Sequence, residues 1–450
     1  MDSEQDRLAS PARDQTPATP IRLLAKLTGA QPQELPLVLA SILCAFCLFC
    51  GYSLAKPLRD AVAAGHEKEW VASLLTGTLI AMLGASVVVG VLVSRLSWRR
   101  FVLLAHAVWV LGAIGLAVWF KLHTTASAKA LDSTFFIAVS VFNLLSLSIF
   151  WSTVTDIFSS DRAKAVFPAI GIGLTAGNIA GSWTVSNYGK QLDASTLVFA
   201  SAALLAISGL CAAFMLRSLP AHAAKAHRTP GGSITDAIEG LRLAMRSGYL
   251  GRLAFYVLLY SVTGTLVWMQ QQAILKAEFA SLAPDVARQN RAAVSGTIDL
   301  YANILTAILQ LFVAGRILKL VGVSAALALT PLTTLASLLA LYFSPSLAML
   351  VPVQVARRGI HYAIDRPARE VLYTVVSPQE RYKSKNLIDT FVYRFGDAVG
   401  GWSETLVTKL GVVASLAAFG AVCLGFAGIG VSLGQSLKKR EKSRTDTPNP

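Results

Sequence analysis

The sequence predicts an all-α membrane protein with twelve transmembrane helices in two halves of six. Of its 450 residues, 54% are hydrophobic and only 14% are charged, whereas a soluble chain of this length carries about a quarter charged residues. In addition, apolar runs recur that reach the roughly 20 residues a helix needs to cross a bilayer. Together these observations exclude an ordinary soluble enzyme.

Each predicted helix is one apolar run bounded by polar residues, and the runs are numbered 1 to 12 in chain order. The first half has its runs at 36–61, 70–94, 101–121, 133–158, 166–188 and 195–217. The second half has them at 250–276, 292–318, 323–343, 347–376, 386–409 and 412–436. Helix 5 also contains Gly171, Gly173, Gly177 and Gly181, which are typical of a small-residue packing face.

A polar linker at 218–249 separates the half at 36–217 from the half at 250–436. Its basic residues and a Gly-Gly-Ser turn at 231–233 favour a domain boundary. Residues 1–35 are predicted to form a disordered cytoplasmic tail with a short amphipathic segment at 21–27. Residues 437–450 are predicted to form a basic cytoplasmic tail.

The formal net charge of +15 indicates how the chain sits in the membrane. With both termini cytoplasmic, roughly 24 Lys and Arg residues lie on that side against about 8 outside, as the positive-inside rule requires. The surplus of positive charge then faces anionic membrane lipids. Nucleic acid is not predicted as a partner, because the sequence has no basic stretch interleaved with aromatic residues. We therefore predict a multi-pass inner (plasma) membrane protein. Six plus six helices around a basic linker are typical of a major-facilitator-type transporter.

No catalytic, metal or cofactor site is predicted. Cys44, Cys47 and Cys50 are spaced i, i+3, i+6, but no His, Asp or Glu lies beside them, at 36–59, to complete a metal site. A nucleophile with a matching base does not stand out either. The chain is therefore not expected to be an enzyme.

Charged residues inside predicted spans are the most informative feature, because each needs a cavity, a partner or an interface. In helix 1, Tyr52, Lys56 and Arg59 are spaced i, i+4, i+7 and share one face, followed at once by Asp60. Pro57 breaks the helical hydrogen-bond ladder beside them. We interpret Tyr52, Lys56 and Arg59 as substrate-binding residues for an anion, and Asp60 as a gating or coupling residue. The alternative is snorkelling to the outer helix end, with Arg59 paired to Asp60.

Helix 10 is the most charged span. Its Arg357 and Arg358 fall near mid-depth and are predicted to bind substrate, whereas its inner end is predicted to form a gate. The predicted gate residues are Asp365, Arg366, Arg369 and Glu370. One helical stripe is predicted to hold Arg358, Tyr362, Arg366, Arg369 and Tyr373. The segment 366–370 also repeats the pattern of 56–60, a basic residue, Pro, any residue, Arg and an acid.

Further polar residues predict a wet interior between the halves. Helix 8 places Asp299, Asn303, Thr306 and Gln310 on one face. Helix 11 contributes Arg394 for substrate and Asp389 and Asp397 for gating or coupling, and helix 7 contributes Tyr260 for a substrate ring. Asp299 is likewise interpreted as a gating or coupling residue. Because acidic and basic intramembrane residues nearly balance, some pairs are expected to be gate salt bridges that break and reform.

Three motifs resemble the ATP/ADP antiporter (nucleotide translocase) family of major-facilitator-like carriers, and most closely its free-living bacterial branch. Residues 52–60, YSLAKPLRD, resemble the family's Y-x-x-L-R-x-x-[KR]-D. The stretch 150–171 resembles F-W…D-E-A-K…[FY]-P-L-F-G, and 383–401 resembles K-G-K-A-A-I-D…G…G-G. The resemblance implies that Arg59 and Lys385 interact with the nucleotide phosphates and that transport is by exchange. The acids of the family's helices 4 and 7 are replaced here by Asn143 and by the glutamines at 270–272.

The sequence thus predicts a secondary active transporter of a small anionic solute, with a nucleotide as first guess, working by alternating access. One alternative is a proton-coupled permease or exporter of another solute, titrating at Asp299, Asp389 or Asp397. Another is a non-transporting membrane sensor or assembly partner that acts through the linker and tails.

Overall fold

A computed structural model of the protein describes residues 19–122, 129–218, 242, 243 and 246–445. The first half contains α1 (Leu35–Ala63), α2 (Lys68–Arg95), α3 (Trp98–Leu122), α4 (Lys129–Ile157), α5 (Ser160–Tyr188) and α6 (Ala194–Met215). The second half begins with α7 (Gly248–Glu278), α8 (Pro284–Phe312) and α9 (Gly322–Phe343). Short helices at Thr19–Thr28 and Ala314–Leu320 lie outside these long ones.

The next two segments are interrupted helices. In α10, Leu347–Ile360 continues through a π-helical turn, His361–Asp365, into Arg366–Leu372. In α11, Pro378–Leu387 continues through a second π-turn, Ile388–Val392, into Tyr393–Val407. The last helix is α12 (Val412–Thr445). Both π-turns lie in the segments where the sequence places intramembrane charges, and π-turns are frequent at functional sites.

Ten helices in the described part of the chain are long and apolar enough to cross a membrane. They are α1 to α9 and α12, and they confirm an all-α, multi-pass membrane fold. The other two predicted spans correspond to α10 and α11. Each uninterrupted α-helical piece of these two is too short to cross the hydrocarbon core of a bilayer.

Several predicted boundaries were wrong. Helix 5 was predicted from 166 but starts at Ser160, and helix 12 was predicted to end at 436 but continues to Thr445, into the predicted basic tail. Helices 8 and 11 differ as well. Helix 8 was predicted at 292–318, but α8 starts eight residues earlier, at Pro284, and ends at Phe312. Helix 11 was predicted from 386, but its helix starts at Pro378, where Ser377 and Glu380 form a capping box. In both places polar helical turns extend beyond the apolar run, so hydropathy alone does not detect them.

Several predictions for the tails and the linker concern residues outside the described ones. These are the tail before residue 19, the turn at 231–233 and the end of the chain after residue 445. Within the N-terminal tail, the predicted amphipathic segment at 21–27 lies in the helix Thr19–Thr28, so helix is present in part of the segment predicted to be disordered. The end of the bundle where α6 ends and α7 begins is called here the linker end; the opposite end is the far end.

Close packing of small residues holds the first half together. Gly173, Gly177 and Gly181 of α5 face α1, where an added Cβ at Gly177 would collide with the carbonyl oxygen of Phe46. Gly171, predicted to share this face, has no neighbour within 4 Å of an added Cβ. Three of the four glycines therefore allow α1 and α5 to approach closely.

An ion pair fixes the linker end of the same two helices. Arg162, at the start of α5, donates to Glu34, just before α1, over 2.6 Å, and to the carbonyl oxygen of Gly29 over 3.0 Å. The hydrogen bond from Arg162 lowers the pKa of Glu34 below its ordinary value. The pair is therefore ionised at neutral pH and stabilises the entry into α1.

Candidate functional site

A cavity of about 490 Å³ lies between the two halves. It is lined by residues of α1, α2, α4 and α5 from the first half and of α7, α8, α10 and α11 from the second. All four polar residues of the predicted α8 face, Asp299, Asn303, Thr306 and Gln310, line it. The polar faces of helices far apart in sequence therefore meet in one central space.

The cavity lining is strongly basic. Its acidic side chains are Asp299 and Asp397, and its basic side chains are Lys56, Arg59, Arg357, Arg358, Arg366 and Arg394. With all of them ionised, the lining has a surplus of four positive charges. The near balance expected over all the spans thus does not extend to the lining, because most of the intramembrane acids lie outside it, including Asp365, Glu370 and Asp60, which pairs with Arg59 from behind the lining.

The central contact of the cavity joins the halves through Asp299 of α8. Lys56 Nζ of α1 donates to both carboxylate oxygens of Asp299 at 2.6 Å. Arg358 of α10 donates to the same carboxylate. Lys56 also lies 3.6 Å from Asp60. One carboxylate is thus shared by a cation from each half.

Arg59 pairs with Asp60, as the snorkelling alternative expected, and also reaches α4 within the first half. Its Nη2 is 2.7 Å from Asp60 Oδ1, and its Nη1 donates to Ser140 Oγ of α4 over 3.2 Å. Its guanidinium carbon lies 5.1 Å from the ring centroid of Phe136. These contacts with α4 hold Arg59 at the cavity wall.

Arg357 differs from the other buried cations. It is only 5% exposed, and its described hydrogen-bond acceptor is the amide oxygen of Gln354, at 3.1 Å from Nη2. Gln354 in turn donates to Gln271 of α7 over 2.8 Å. Among the described residues no carboxylate lies within ion-pair distance of Arg357. A buried cation held by an amide alone is a favourable position for an external anion.

Aromatic side chains from both halves line the cavity together with Arg357. Tyr260 of α7 stacks on His361 with ring centroids 3.8 Å apart and planes 12° apart. Tyr393 of α11 lies 5.8 Å from Tyr260, and Tyr52 of α1 lines the cavity from the first half. The lining thus offers ring faces together with fixed positive charge.

Arg394 and Asp397 form a pair within α11, 3.0 Å apart. Asp397 also accepts hydrogen bonds from Ser261 at 2.6 Å and Thr265 at 3.2 Å, both on α7. Gly396 allows this approach, because an added Cβ there would lie 2.6 Å from the Ser261 Cβ. The pair therefore fastens α11 to α7 and leaves Arg394 at the cavity surface.

Other predicted site residues lie elsewhere. Lys385 is outside the cavity lining and pairs with Glu370 at 2.6 Å, near the linker end. Asp365 is fully buried in the second half, accepting from the Tyr256 hydroxyl and lying 3.1 Å from His361 Nδ1. In this structure both acids pair within their own half, and their predicted role in an inner gate stays a prediction. The side chain of Asp389 is outside the described residues.

The predicted stripe on α10 lines the cavity as far as Arg366, the first residue after the π-turn. Tyr362 and Arg366 line the cavity with Arg358, but Arg369 and Tyr373 are buried outside the lining. The i→i+5 hydrogen bonds of His361–Asp365 replace i→i+4 bonds, so later residues are rotated relative to a continuous α-helix. The interpretation of the stripe assumed a constant helical period.

Contacts at the far end, which the sequence interpretation missed, join the two halves. Lys68 at the start of α2 lies 2.9 Å from Glu404 of α11, which also accepts from Gln270 of α7 over 2.9 Å. Lys276 lies 2.6 Å from Glu67, and this contact lowers the pKa of Glu67. The far end is closed in this structure. An acid inside predicted helix 11, Glu404, was the available signal.

In sequence, this chain is similar to a known membrane carrier. No family model matches the chain. ADP,ATP carrier protein 1 of Chlamydia muridarum (strain MoPn / Nigg) is 22% identical over 334 residues, which cover 65% of this chain and 61% of the carrier. The chain therefore spans about three fifths of the length of that relative.

Solved structures match over nearly the whole chain. The nucleoside transporter NupG has a TM-score of 0.60 and 17% identity, covering 91% of this chain and 99% of its own. The chain has the major-facilitator-type transporter fold. The inward-open xylose transporter XylE from E. coli has a TM-score of 0.55 and 12% identity, covering 90% of this chain and 95% of its own. These similar proteins are membrane transporters and not enzymes, as predicted, and the carrier match confirms the resemblance to ATP/ADP antiporters.

Proposed function

We propose that the protein is a secondary active transporter of an anionic, nucleotide-like or phosphorylated solute, and that it works by alternating access. The observation that carries the proposal is the cavity lining, in which six basic side chains face two acidic ones. A surplus of fixed positive charge in a low-dielectric site favours an anion with several negative charges. The relative named as an ADP,ATP carrier and the neighbour named as a nucleoside transporter support a nucleotide.

The cavity has separate places for the two parts of such a solute. Arg357 would receive a phosphate, because a guanidinium donates two parallel hydrogen bonds to phosphate oxygens. Lys56 and Arg59 of the first half and Arg358 of α10 add positive charge to the same lining. Tyr260 and Tyr393 would contact a ring face, and a volume of about 490 Å³ suits a small molecule.

In the proposed mechanism the solute enters the structure seen here from the linker end, since the far end is closed. The halves then rock about the cavity, the far-end contacts of Glu404 and Lys276 break, and the solute leaves there. With both termini cytoplasmic and the chain in the inner membrane, this structure faces the cytoplasm. The resemblance to antiporters favours exchange of one solute for another.

Counterflow into proteoliposomes tests the proposal. Uptake of labelled ADP or ATP is expected only when unlabelled nucleotide is enclosed, and Arg357→Gln is expected to reduce uptake at least 10-fold. Arg252→Gln is the matched control, because Arg252 donates to Gly248 and Ser432 at the exposed linker end. Equal uptake by both variants, or uptake of no phosphorylated compound by the wild type, would contradict the proposal.

A second candidate is a proton-coupled permease, favoured by one observation. Asp365 is fully buried beside Tyr256 and His361, and buried carboxylates of this kind serve as proton relays in transporters. Flux that depends on a pH gradient but not on enclosed nucleotide, and that is lost in Asp365→Asn, would favour this candidate over exchange.

A further inference from the structure

We infer that Asp299 is a tethered anion that the substrate has to displace, and that its displacement releases the closure of the far end. The inference deepens the proposed function and rests on it, because it requires an anionic substrate. It also assigns Asp299 a role in selectivity: phosphate-bearing solutes trigger the conformational change, and neutral solutes of similar shape do not.

Asp299 occupies the position that a substrate phosphate needs. Both of its oxygens lie 2.6 Å from Lys56 Nζ, and Arg358 donates to it from the other side. Its side chain lines the cavity while only 9% exposed. A carboxylate between an ammonium and a guanidinium makes the charge-assisted contacts that a phosphate would make. A phosphate and Asp299 therefore compete for the same two cations.

The same carboxylate lies at the cavity side of the contact that closes the far end. Lys56 belongs to the first half and Asp299 to the second, so their ion pair crosses the interface. Less than one turn further towards the far end, Thr297 of α8 shares a 2.7 Å hydrogen bond with Ser186 of α5. Gly296 packs there against Val185 and Ser186. Asp299 therefore lies on the same helix as the contact between α8 and α5, within one turn of it.

Displacement changes the energetics of the closed state. A phosphate bound to Lys56 and Arg358 leaves Asp299 as a buried carboxylate without its cations, which is unfavourable. Separation of the halves at the far end would expose Asp299 to water and relieve this cost. Binding energy is in this way converted into a preference for the far-end-open state, as a ligand-driven population shift requires.

A neutral solute has a different effect. A nucleoside could contact Tyr260 and the polar wall, but it has no charge with which to replace Asp299 between Lys56 and Arg358. The cross-half ion pair then persists and the far end stays closed. Asp60, 3.6 Å from Lys56, offers Lys56 a secondary partner but belongs to the same half, so it does not substitute for the link.

The test compares Asp299→Asn with Asp397→Asn, which removes the other acidic charge of the lining but breaks a pair within one half. Binding of ADP, pyrophosphate and adenosine is measured by calorimetry in detergent. Asp299→Asn is expected to tighten ADP and pyrophosphate binding at least fivefold beyond Asp397→Asn and to leave adenosine unchanged. Equal tightening by both variants, or none in Asp299→Asn, would overturn the inference.

A second measurement follows the far end directly. Spin labels at Lys190→Cys and Glu278→Cys, exposed far-end positions of the two halves, are placed in a background without native cysteines. Without substrate, Asp299→Asn and Lys56→Met should both populate a longer label distance, whereas the wild type should need ADP and not adenosine. Lys56→Met should weaken ADP binding while Asp299→Asn tightens it, opposite signs that a purely structural role does not produce.

The outcomes separate the two proposals. Tight ADP binding by the wild type with label distances unchanged in Asp299→Asn overturns the displacement inference and leaves the proposed function standing. No binding of any phosphate compound by the wild type overturns the proposed function and the inference together.

Discussion

Two arginines adjacent in sequence show how a single residue acquires a function from its partner. Arg358 shares the carboxylate of Asp299, whereas Arg357 is held by the amide oxygen of Gln354. An amide dipole compensates a buried guanidinium less fully than a carboxylate does. Arg357 is therefore the cation with most to gain from an arriving anion.

Substitution of the single residue Tyr260 can distinguish binding of the substrate's ring from binding of its phosphates. Tyr260→Leu is expected to weaken ADP binding about 3- to 10-fold, the size of an aromatic stacking contribution, and to leave pyrophosphate binding unchanged. Tyr260→Phe keeps the ring and should bind ADP like the wild type. Calorimetric titration of both ligands is the measurement. Equal weakening of both ligands in Tyr260→Leu would show that Tyr260 only supports His361.

Among the elements, α5 offers a matched comparison of two glycines. Gly177→Val would force α5 away from Phe46 of α1 and is expected to destabilise the protein by about 1–3 kcal/mol, as overpacking does. Gly171→Val has open space and should change stability by no more than about 0.5 kcal/mol. Thermal unfolding in detergent measures both variants. Equal stability of the two would contradict the close α1 and α5 packing.

Helical periodicity predicted much of the site at this scale, because a straight helix keeps its polar face over many turns. Asp299 and Gln310 at opposite ends of the α8 face both line the cavity. Periodicity was less reliable after the π-turn of α10, where Arg366 still lines the cavity but Arg369 is buried outside its lining. It also does not reveal partners: Lys56 and Asp299 are 243 positions apart, and only folding brings them together.

For the whole molecule, closure of the far end depends on a buried acid. Glu404 is fully buried, with Lys68 of the other half and Gln270 as partners. Glu404→Gln removes the ion pair across the halves and is expected to destabilise the closed state by about 1–3 kcal/mol, reduced by the partial exposure of Lys68. Faster hydrogen exchange of the backbone at 64–75 is the expected sign.

The control for this prediction is an ion pair of the same kind in an exposed place. Lys164→Gln breaks the pair with Asp161, which lies in one half and is largely exposed, and should leave exchange at 64–75 unchanged. If Glu404→Gln exchanges there no faster than Lys164→Gln, Glu404 does not hold the far end closed.

The basic surplus of the cavity lining has an electrical consequence. A charge moved through the membrane potential changes in energy by about 2.3 kcal/mol per 100 mV. If the cavity shifts within the field as the halves rock, the empty carrier moves its four surplus positive charges, whereas a carrier loaded with a multiply charged anion moves fewer. The membrane potential would then oppose reorientation of the empty carrier in one direction, whereas it would have little effect on reorientation of the loaded carrier. Such a cavity favours a transport cycle in which the carrier reorients only with a solute bound.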